Sequence, residues 1–361
     1  MFTIQSNPQL NKDSFSFNEN GEYPYFTRTV FNNGIAGYVD YLDDDHKIKG
    51  NCLAVGMIGM QFFYMPHDFY AGQFTKRVIP KSFTLNARLA TYFISLLNKN
   101  QDALQNILVR DFESFLKKIK IQLPTQNGNI DFAFMEAFIA ELEAERIAEL
   151  EAYLLTTGLK DYNLTKEEEK TLDEFKNIKW GEFRLGVLFE KISTNKLPFK
   201  ADELPKEMIG EYMLPCLTSS FKNQGLNYFV PKDAATILKN VISIPSNSDI
   251  YRAYFQSNEF TILSDAYAIR WIFTDIDLSS KQYLFAVQCI NKVTDLSIYS
   301  YKNKLGGWNV VKNKYIQLPI KNDKPDYEIM QTLISAIQKL VIKEVVQYAD
   351  RKIEATKQVV G

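Results

Sequence analysis

Tyr23–Val39, YPYFTRTVFNNGIAGYV, and Tyr212–Val230, YMLPCLTSSFKNQGLNYFV, are two versions of one stretch, and aligning them decides the architecture. Pro24 and Pro215, Thr27 and Thr218, Asn32 and Asn223, Gly34 and Gly225, Tyr38 and Phe229, and Val39 and Val230 each stand 191 residues apart. Downstream, Asn98-Lys99 matches Asn291-Lys292 at an offset of 193. Ile121–Pro124 (IQLP) then matches Ile316–Pro319 at 195, and the same offset relates Asp131, Met135 and Ile139 to Asp326, Met330 and Ile334. So slow a drift is what small loop insertions produce, whereas accidental matches would not keep this order. The chain is an internal repeat.

Each copy reads as a mixed unit followed by a long helix, so the fold class is α+β. Short β-rich runs such as CLAVGMIGMQFFYM and FTILSDAYAIRWIF are punctuated by Gly, Pro and Asn turns. The expected division is a first mixed unit over 1–124, a first long helix and connector over 125–179, a second mixed unit over 180–320, and a second long helix over 321–361. After each IQLP, proline stops the strand, and Asp131 or Asp326 offers a carboxylate to the free amides of a helix start. The first helix sets Met135, Phe138, Ile139, Leu142, Ile147, Leu150 and Leu154 on one side, and the second sets Met330, Ile334, Ile337, Val341 and Tyr348 at coiled-coil spacing. Met135, Ile139 and Leu142 against Met330, Ile334, Ile337 and Val341 form the expected seam of an antiparallel pair, with a pseudo-two-fold relation between copies. The alternative is that each helix packs only on its own mixed unit. In the connector, Thr165 and Glu168 have capping-box spacing, and its acidity reads as a solvated face.

Length and composition bound the function. The 361 residues suggest two or three compact units, and 46% hydrophobic with 14% aromatic residues argues against extended disorder. No apolar run is long enough to span a bilayer, and MFTIQSNPQLNKD lacks the basic start and apolar core of a secretory signal, so a cytoplasmic location is expected. Cys52, Cys216 and Cys289 stand far apart, and His46 and His67 are the sole histidines, which argues against a metal site. There is no GxGxxG, Walker loop, GxSxG, HExxH or Asn-Pro-Pro-aromatic tetrapeptide, and Pro325-Asp326 is not followed by an acidic-x-Lys pair. The expectation is a binding protein and not an enzyme. The net charge of −1 conceals a partition: residues 136–174 hold twelve acidic against four basic side chains (net −8), leaving 38 basic against 31 acidic (net +7) elsewhere. A near-neutral total can therefore hide a basic working surface.

Two related but non-identical units on a helical rod would act as a ruler. Twenty-five helical residues at about 1.5 Å each span roughly 37 Å, about one turn of B-DNA, so both units would face one side of a duplex. Over nearly the whole chain the residues resemble the specificity subunits of type I restriction-modification systems and their type IIB and IIG relatives. The resemblance is carried by YPYFTRTVFNNGIAGYV, VGMIGMQFFYMPHDFYAG, IQLPTQNGNIDFAFMEAFIAELE, WGEFRLGVLFEKIS, FTILSDAYAIRW and YIQLPIKNDKPDYEIMQTLISAI, and by their doubled order. It implies two target-recognition domains joined by an antiparallel coiled coil, binding a bipartite, asymmetric double-stranded DNA site. It also implies methylation (M) subunits as partners, with a restriction (R) subunit as a further candidate. No cofactor is implied in this chain; S-adenosylmethionine is expected in the methylation subunit, where adenine would be methylated. A fused or two-subunit type IIB/IIG arrangement is the variant reading. One departure is visible: the second copy opens at Trp180 with WGEFRLGVLF, whereas Phe2 aligns with Phe189, so about nine residues have no counterpart and the first domain is expected to lack its opening strand. Either the subunit is shorter at this end or the chain is part of a longer or fused polypeptide.

DNA-contacting candidates follow from the side chains that read base edges and phosphates. They are Thr27, Arg28, Thr29 and Asn32 in the first copy, and Thr218, Ser219, Ser220, Lys222, Asn223 and Gln224 in the second. Asn33 and Gly34 read as turn formers. Arg28 against Ser219 is the sort of variable polar pair on a common frame that a reader needs. Lys76, Arg77, Arg252, Lys302 and Lys304 are candidate phosphate clamps, and Tyr251, Tyr254, Tyr299 and Tyr301 stand beside such residues, with packing as their alternative role. Two rivals remain: a protein-protein scaffold without nucleic acid, and an enzyme with a site between copies.

Overall fold

The computed structural model describes residues 1–107, 109–248, 250–274, 276–299 and 302–360, with the side chains of the last helix described as far as Ala355. Two compact units result, Met1–Ala152 with the tail from Arg351, and Tyr153–Asp350.

The first unit contains β1 (Phe2–Ser6), β2 (Tyr23–Phe26), β3 (Ile35–Val39), β4 (Cys52–Gly56), β5 (Phe62–Met65), β6 (Tyr70–Ala71), β7 (Thr75–Pro80), β8 (Thr125–Gln126) and β9 (Asn129–Ile130). A four-stranded sheet runs β1-β7-β4-β5, a three-stranded one β3-β2-β6, and β8 pairs with β9. β4, CLAVG, is buried along its whole length, as the unbroken apolar run of a central strand requires. The helix Ala87–Asn98 presses Leu89, Ala90, Phe93 and Leu97 into a core with Phe62, Val78, Phe112 and Met135. Its start is fixed by Asn86, whose Oδ1 accepts the Leu89 amide at 2.9 Å.

The second unit contains β10 (Trp180–Arg184), β11 (Phe189–Lys191), β12 (Leu214–Leu217), β13 (Leu226–Val230), β14 (Val241–Pro245), β15 (Tyr254–Gln256), β16 (Thr261–Ile262), β17 (Ala266–Trp271), β18 (Tyr315–Lys321) and β19 (Lys324–Pro325). Its sheets run β11-β17-β14-β15 and β13-β12-β16, repeating the first unit strand for strand. In both, the middle strand of the smaller sheet has one antiparallel and one parallel neighbour. The matched asparagines do the same work in each copy. Asn98 Oδ1 accepts the Phe62 amide at 2.8 Å and its Nδ2 donates to Phe62 O at 3.3 Å. Asn291 Oδ1 accepts the Ala253 amide at 2.7 Å and its Nδ2 donates to Ala253 O at 3.2 Å.

The long helices Phe132–Thr156 and Tyr327–Val360 begin alike. Asp131 Oδ1 accepts the Phe134 amide at 2.9 Å, and Asp326 Oδ1 accepts those of Glu328 and Ile329 at 3.1 Å. Met135 and Met330, placed in the expected seam, are fully buried in the cores of their own units. Ile139 and Ile334 are buried as well, whereas Leu142, Ile337 and Val341 are exposed at 37%, 47% and 72%. In the second unit, Gly158 at φ 69 ends the first helix: Leu159 N–H donates to Leu154 O at 2.9 Å and Gly158 N–H to Leu155 O at 3.2 Å.

The connector's capping box forms, with the Glu168 amide donating to Thr165 Oγ1 and Glu168 Oε2 accepting the Thr165 amide at 2.8 Å. Glu168 departs from the solvated face expected of the connector's acidic residues. It is buried and its Oε2 lies 2.9 Å from Lys339 Nζ. Burial raises its carboxyl, but the Thr165 amide and the Lys339 ammonium outweigh that and bring it down to about 2.

The repeat differs at one place. β10 pairs with β18, so Tyr315–Lys321 is a full strand with Ile316 and Leu318 buried. The matching Lys120–Pro124 belongs to no strand, and among the described residues no strand pairs with it.

Candidate nucleic-acid interface

In each unit the loop after the middle strand of the smaller sheet is built to one plan. Thr27 N–H donates to Gly34 O at 2.8 Å, and Thr218 N–H donates to Gly225 O at 2.8 Å. Inside these closures three successive residues take positive φ: Asn32 (47°), Asn33 (53°) and Gly34 (79°), and Asn223 (46°), Gln224 (53°) and Gly225 (92°). Asparagine tolerates that region and glycine enters it without cost. Gly34 has a second reason, since a Cβ there would stand 2.2 Å from the Phe26 ring. Short side chains tie the entry to each turn. Thr29 Oγ1 accepts the Phe31 amide at 3.1 Å, and Ser220 Oγ accepts the Lys222 amide at 3.1 Å.

On this shared frame the outward side chains differ. In the first unit Arg28 is exposed and its guanidinium lies 5.7 Å from the Phe74 ring centroid, free of any ion pair among the described residues. Thr27 and Thr29 are half-buried, and Asn32 is exposed with its Nδ2 donating to Ile35 O at 3.1 Å. In the second unit Thr218 is buried, its Oγ1 accepting from Asn227 Nδ2 at 2.6 Å. Ser219 donates through Oγ to Asp265 Oδ2 at 2.8 Å, while Lys222, Asn223 and Gln224 are exposed. The loop residues therefore cluster in each unit, with Arg28 in the first and Lys222 in the second as exposed cations.

The clamp candidates are more dispersed. Lys76 Nζ donates to Glu113 at 2.7 Å and to Ser6 Oγ at 3.0 Å, with its side chain only 16% exposed. That hydrogen bond holds the Glu113 carboxyl below its usual range. Arg77 is half-buried on β7, its buried Nε without a hydrogen-bond partner. Arg252 is half-exposed and grips Asp295 through Nε at 2.9 Å and a terminal nitrogen at 2.6 Å. Lys302 and Lys304 are exposed. Tyr251 and Tyr299 are fully buried against each other, Tyr254 donates to Phe221 O at 3.1 Å, and Tyr301 lies outside the described residues.

The structure adds neighbours that the sequence pattern did not single out. Phe31, 79% exposed, and Phe221, 48% exposed, stand on the two turns. A depression of about 200 Å³ beside Arg28 is lined by Asn11, Lys12, Thr27 and Gln73. In the second unit a groove of about 610 Å³ carries Lys191, Lys196 and Lys200 past Asp265, the residue that holds Ser219. Gly56 and Gly59 let the β4–β5 turn reach this loop, because a Cβ on Gly56 would sit 2.5 Å from Arg28 Cα. Their VGMIG spacing was a legible signal; the lysine groove follows only from chain folding.

Reactive chemistry is sparse. Burial pushes the Cys52, Cys216 and Cys289 thiols up to about 12. Among the described residues, no three His, Cys, Asp or Glu side chains come together as metal ligands. No described helix is long and apolar enough to cross a membrane.

The chain is 22% identical over 347 residues to the Type II restriction enzyme BgcI specificity subunit S.BcgI of Heyndrickxia coagulans, covering 95% of this chain and 93% of that one. It shares its fold with the S subunit of a type I restriction-modification system from M. genitalium, at a TM-score of 0.54 and 14% identity, over 99% of this chain and 91% of that one. Residues 1–152 and 177–348 both match the model of the type I restriction modification DNA specificity domain, and the chain belongs to that family.

Proposed function

We propose that this chain is the non-catalytic DNA-recognition subunit of a cytoplasmic restriction-modification complex, and that its two units read separate halves of one split, asymmetric double-stranded site. One observation carries the reading: a single loop geometry, closed by Thr27–Gly34 and by Thr218–Gly225, presents different polar side chains in the two units. A common frame with changed readers is how two half-sites of unlike sequence are told apart. The long helices Phe132–Thr156 and Tyr327–Val360 would pair antiparallel and carry the docking surfaces for methylation subunits, with a restriction subunit as a further partner. S-adenosylmethionine on the methylation subunit would supply the methyl group for adenine. This chain's residues bind and orient DNA.

Arg28, Lys222, Lys302 and Lys304 are exposed for that work, and the groove of Lys191, Lys196 and Lys200 adds phosphate contacts. Lys76 and Arg252, each already ion-paired, would reach a phosphate only by exchanging partners. A two-subunit type II arrangement is the favoured variant, because the curated relative is named as the specificity subunit of a type II enzyme. The test is titration of mixed-sequence duplex at rising salt. With about five phosphates neutralised, log K should fall with log salt at a slope of roughly −4.5. An affinity indifferent to salt, or absent, supports the scaffold alternative.

A further inference from the structure

We propose, resting on the DNA-recognition reading above, that Phe74 and Asp265 are matched positioning residues that decide which base each unit reads. Phe74 does so by holding Arg28, and Asp265 by fixing the hydroxyl of Ser219. Phe74 and Asp265 stand 191 residues apart, the same offset that relates Arg28 to Ser219. The backbone repeats the match. Phe74 directly precedes β7 and its carbonyl accepts the Met57 amide at 2.9 Å; Asp265 directly precedes β17 and its carbonyl accepts the Ser246 amide at 2.8 Å. The turns that carry them are tied to the middle strand alike, Gly72 N–H donating to Phe26 O at 2.9 Å and Leu263 N–H to Leu217 O at 2.8 Å.

Each of the two side chains meets the reader of its own unit. The Arg28 guanidinium lies 5.7 Å from the Phe74 ring centroid, a cation–π contact that holds the fork without using any of its N–H donors. Phe74 is 48% exposed and sits at φ 57, a region that a bulky side chain enters only at a cost. Burial does not explain a phenylalanine there and backbone preference opposes it; the contact with Arg28 remains. In the second unit Asp265 Oδ2 accepts from Ser219 twice, from Oγ at 2.8 Å and from the amide at 3.2 Å, while Oδ1 is buried without a hydrogen-bond partner. A carboxylate only accepts, so the one hydroxyl proton of Ser219 is committed to it and Oγ keeps lone pairs alone for a ligand. The two readers therefore have opposite polarity. Arg28 offers donors, which fit O6 and N7 of guanine, and Ser219 offers an acceptor, which fits the amino group of adenine or cytosine.

The experiment is selection of a randomised duplex library by the full chain, with the bound duplexes sequenced and thermal unfolding followed in parallel. The expected motif holds guanine in one block and adenine or cytosine in the other. Phe74→Gly removes the ring and relieves the positive φ. Guanine enrichment should then fall at least about fivefold at one position, with the other block unchanged and the unfolding temperature held or raised. Phe74→Tyr keeps the ring and should keep the guanine. Asp265→Ala returns the proton to Ser219 and should abolish the adenine or cytosine preference in the other block alone. A motif that lacks these bases, or that either Phe74→Gly or Asp265→Ala leaves intact, overturns the proposal. So does a Phe74→Gly chain that unfolds earlier and binds every sequence more weakly, which would make Phe74 a packing residue. Enrichment of no motif by the native chain overturns the recognition reading itself.

Discussion

Glu168→Ala removes two interactions from the second unit at once. The carboxylate closes the capping box on the Thr165 amide and forms an ion pair with Lys339 at 2.9 Å, the two side chains being 7% and 15% exposed. Loss of the cap costs about 1 kcal/mol. Removing one member of a buried pair costs about 3–5 kcal/mol when the other charge is stranded. Asp161 remains 3.7 Å from Lys339, which places the total nearer the low end, at about 3 kcal/mol. The pH dependence is the sharper signature. Glu168 ionises at about 2 in the folded chain against an ordinary 4.5, so its contribution is complete above about pH 4.5 and is lost as pH falls towards 2. Urea unfolding of both proteins at pH 5 and pH 3 should therefore show the stability gap shrinking by about 1–2 kcal/mol at the lower pH. A gap under about 0.5 kcal/mol at neutral pH, the size of an ordinary surface substitution, or one unchanged between the two pH values, refutes this account of the connector.

Arg28→Ala should relax sequence discrimination in one half of the recognised site, measured by binding to a panel of single-base variants; uniform weakening on all sequences would make Arg28 a phosphate contact instead. Asn291→Ala strips two hydrogen bonds from the Ala253 backbone and should cost about 1–3 kcal/mol in chemical unfolding, and Asn98→Ala should cost a similar amount in the first unit. The three cysteines, with thiols near 12, should resist iodoacetamide at pH 8 in the folded chain and react on unfolding, as mass spectrometry would record.

Much of this fold was legible because the chain states it twice. Asn98 and Asn291 matched in sequence and proved to make the same pair of backbone hydrogen bonds, and Asp131 and Asp326 both cap helices as their position after IQLP implied. The turn of Asn32-Asn33-Gly34 and Asn223-Gln224-Gly225 was legible in position, since few residues other than Asn and Gly sit easily at positive φ. The side-chain partners were not. Nothing local tells Lys76 that Glu113 lies beside it, Arg252 that Asp295 does, or Glu168 that it will be buried under Lys339; those pairings are set by chain segments far apart in sequence. For the same reason Phe31 and the lysines of the second unit's groove escaped notice, while Tyr251 and Tyr299 behave as core residues.

The claim that two unlike readers share one chain is tested most directly by mapping methylated adenines genome-wide in cells with and without this gene. Deletion should erase modification at one motif made of two short, dissimilar blocks parted by a fixed run of unspecified bases. An unchanged methylation map, or the loss of a single uninterrupted motif, contradicts it.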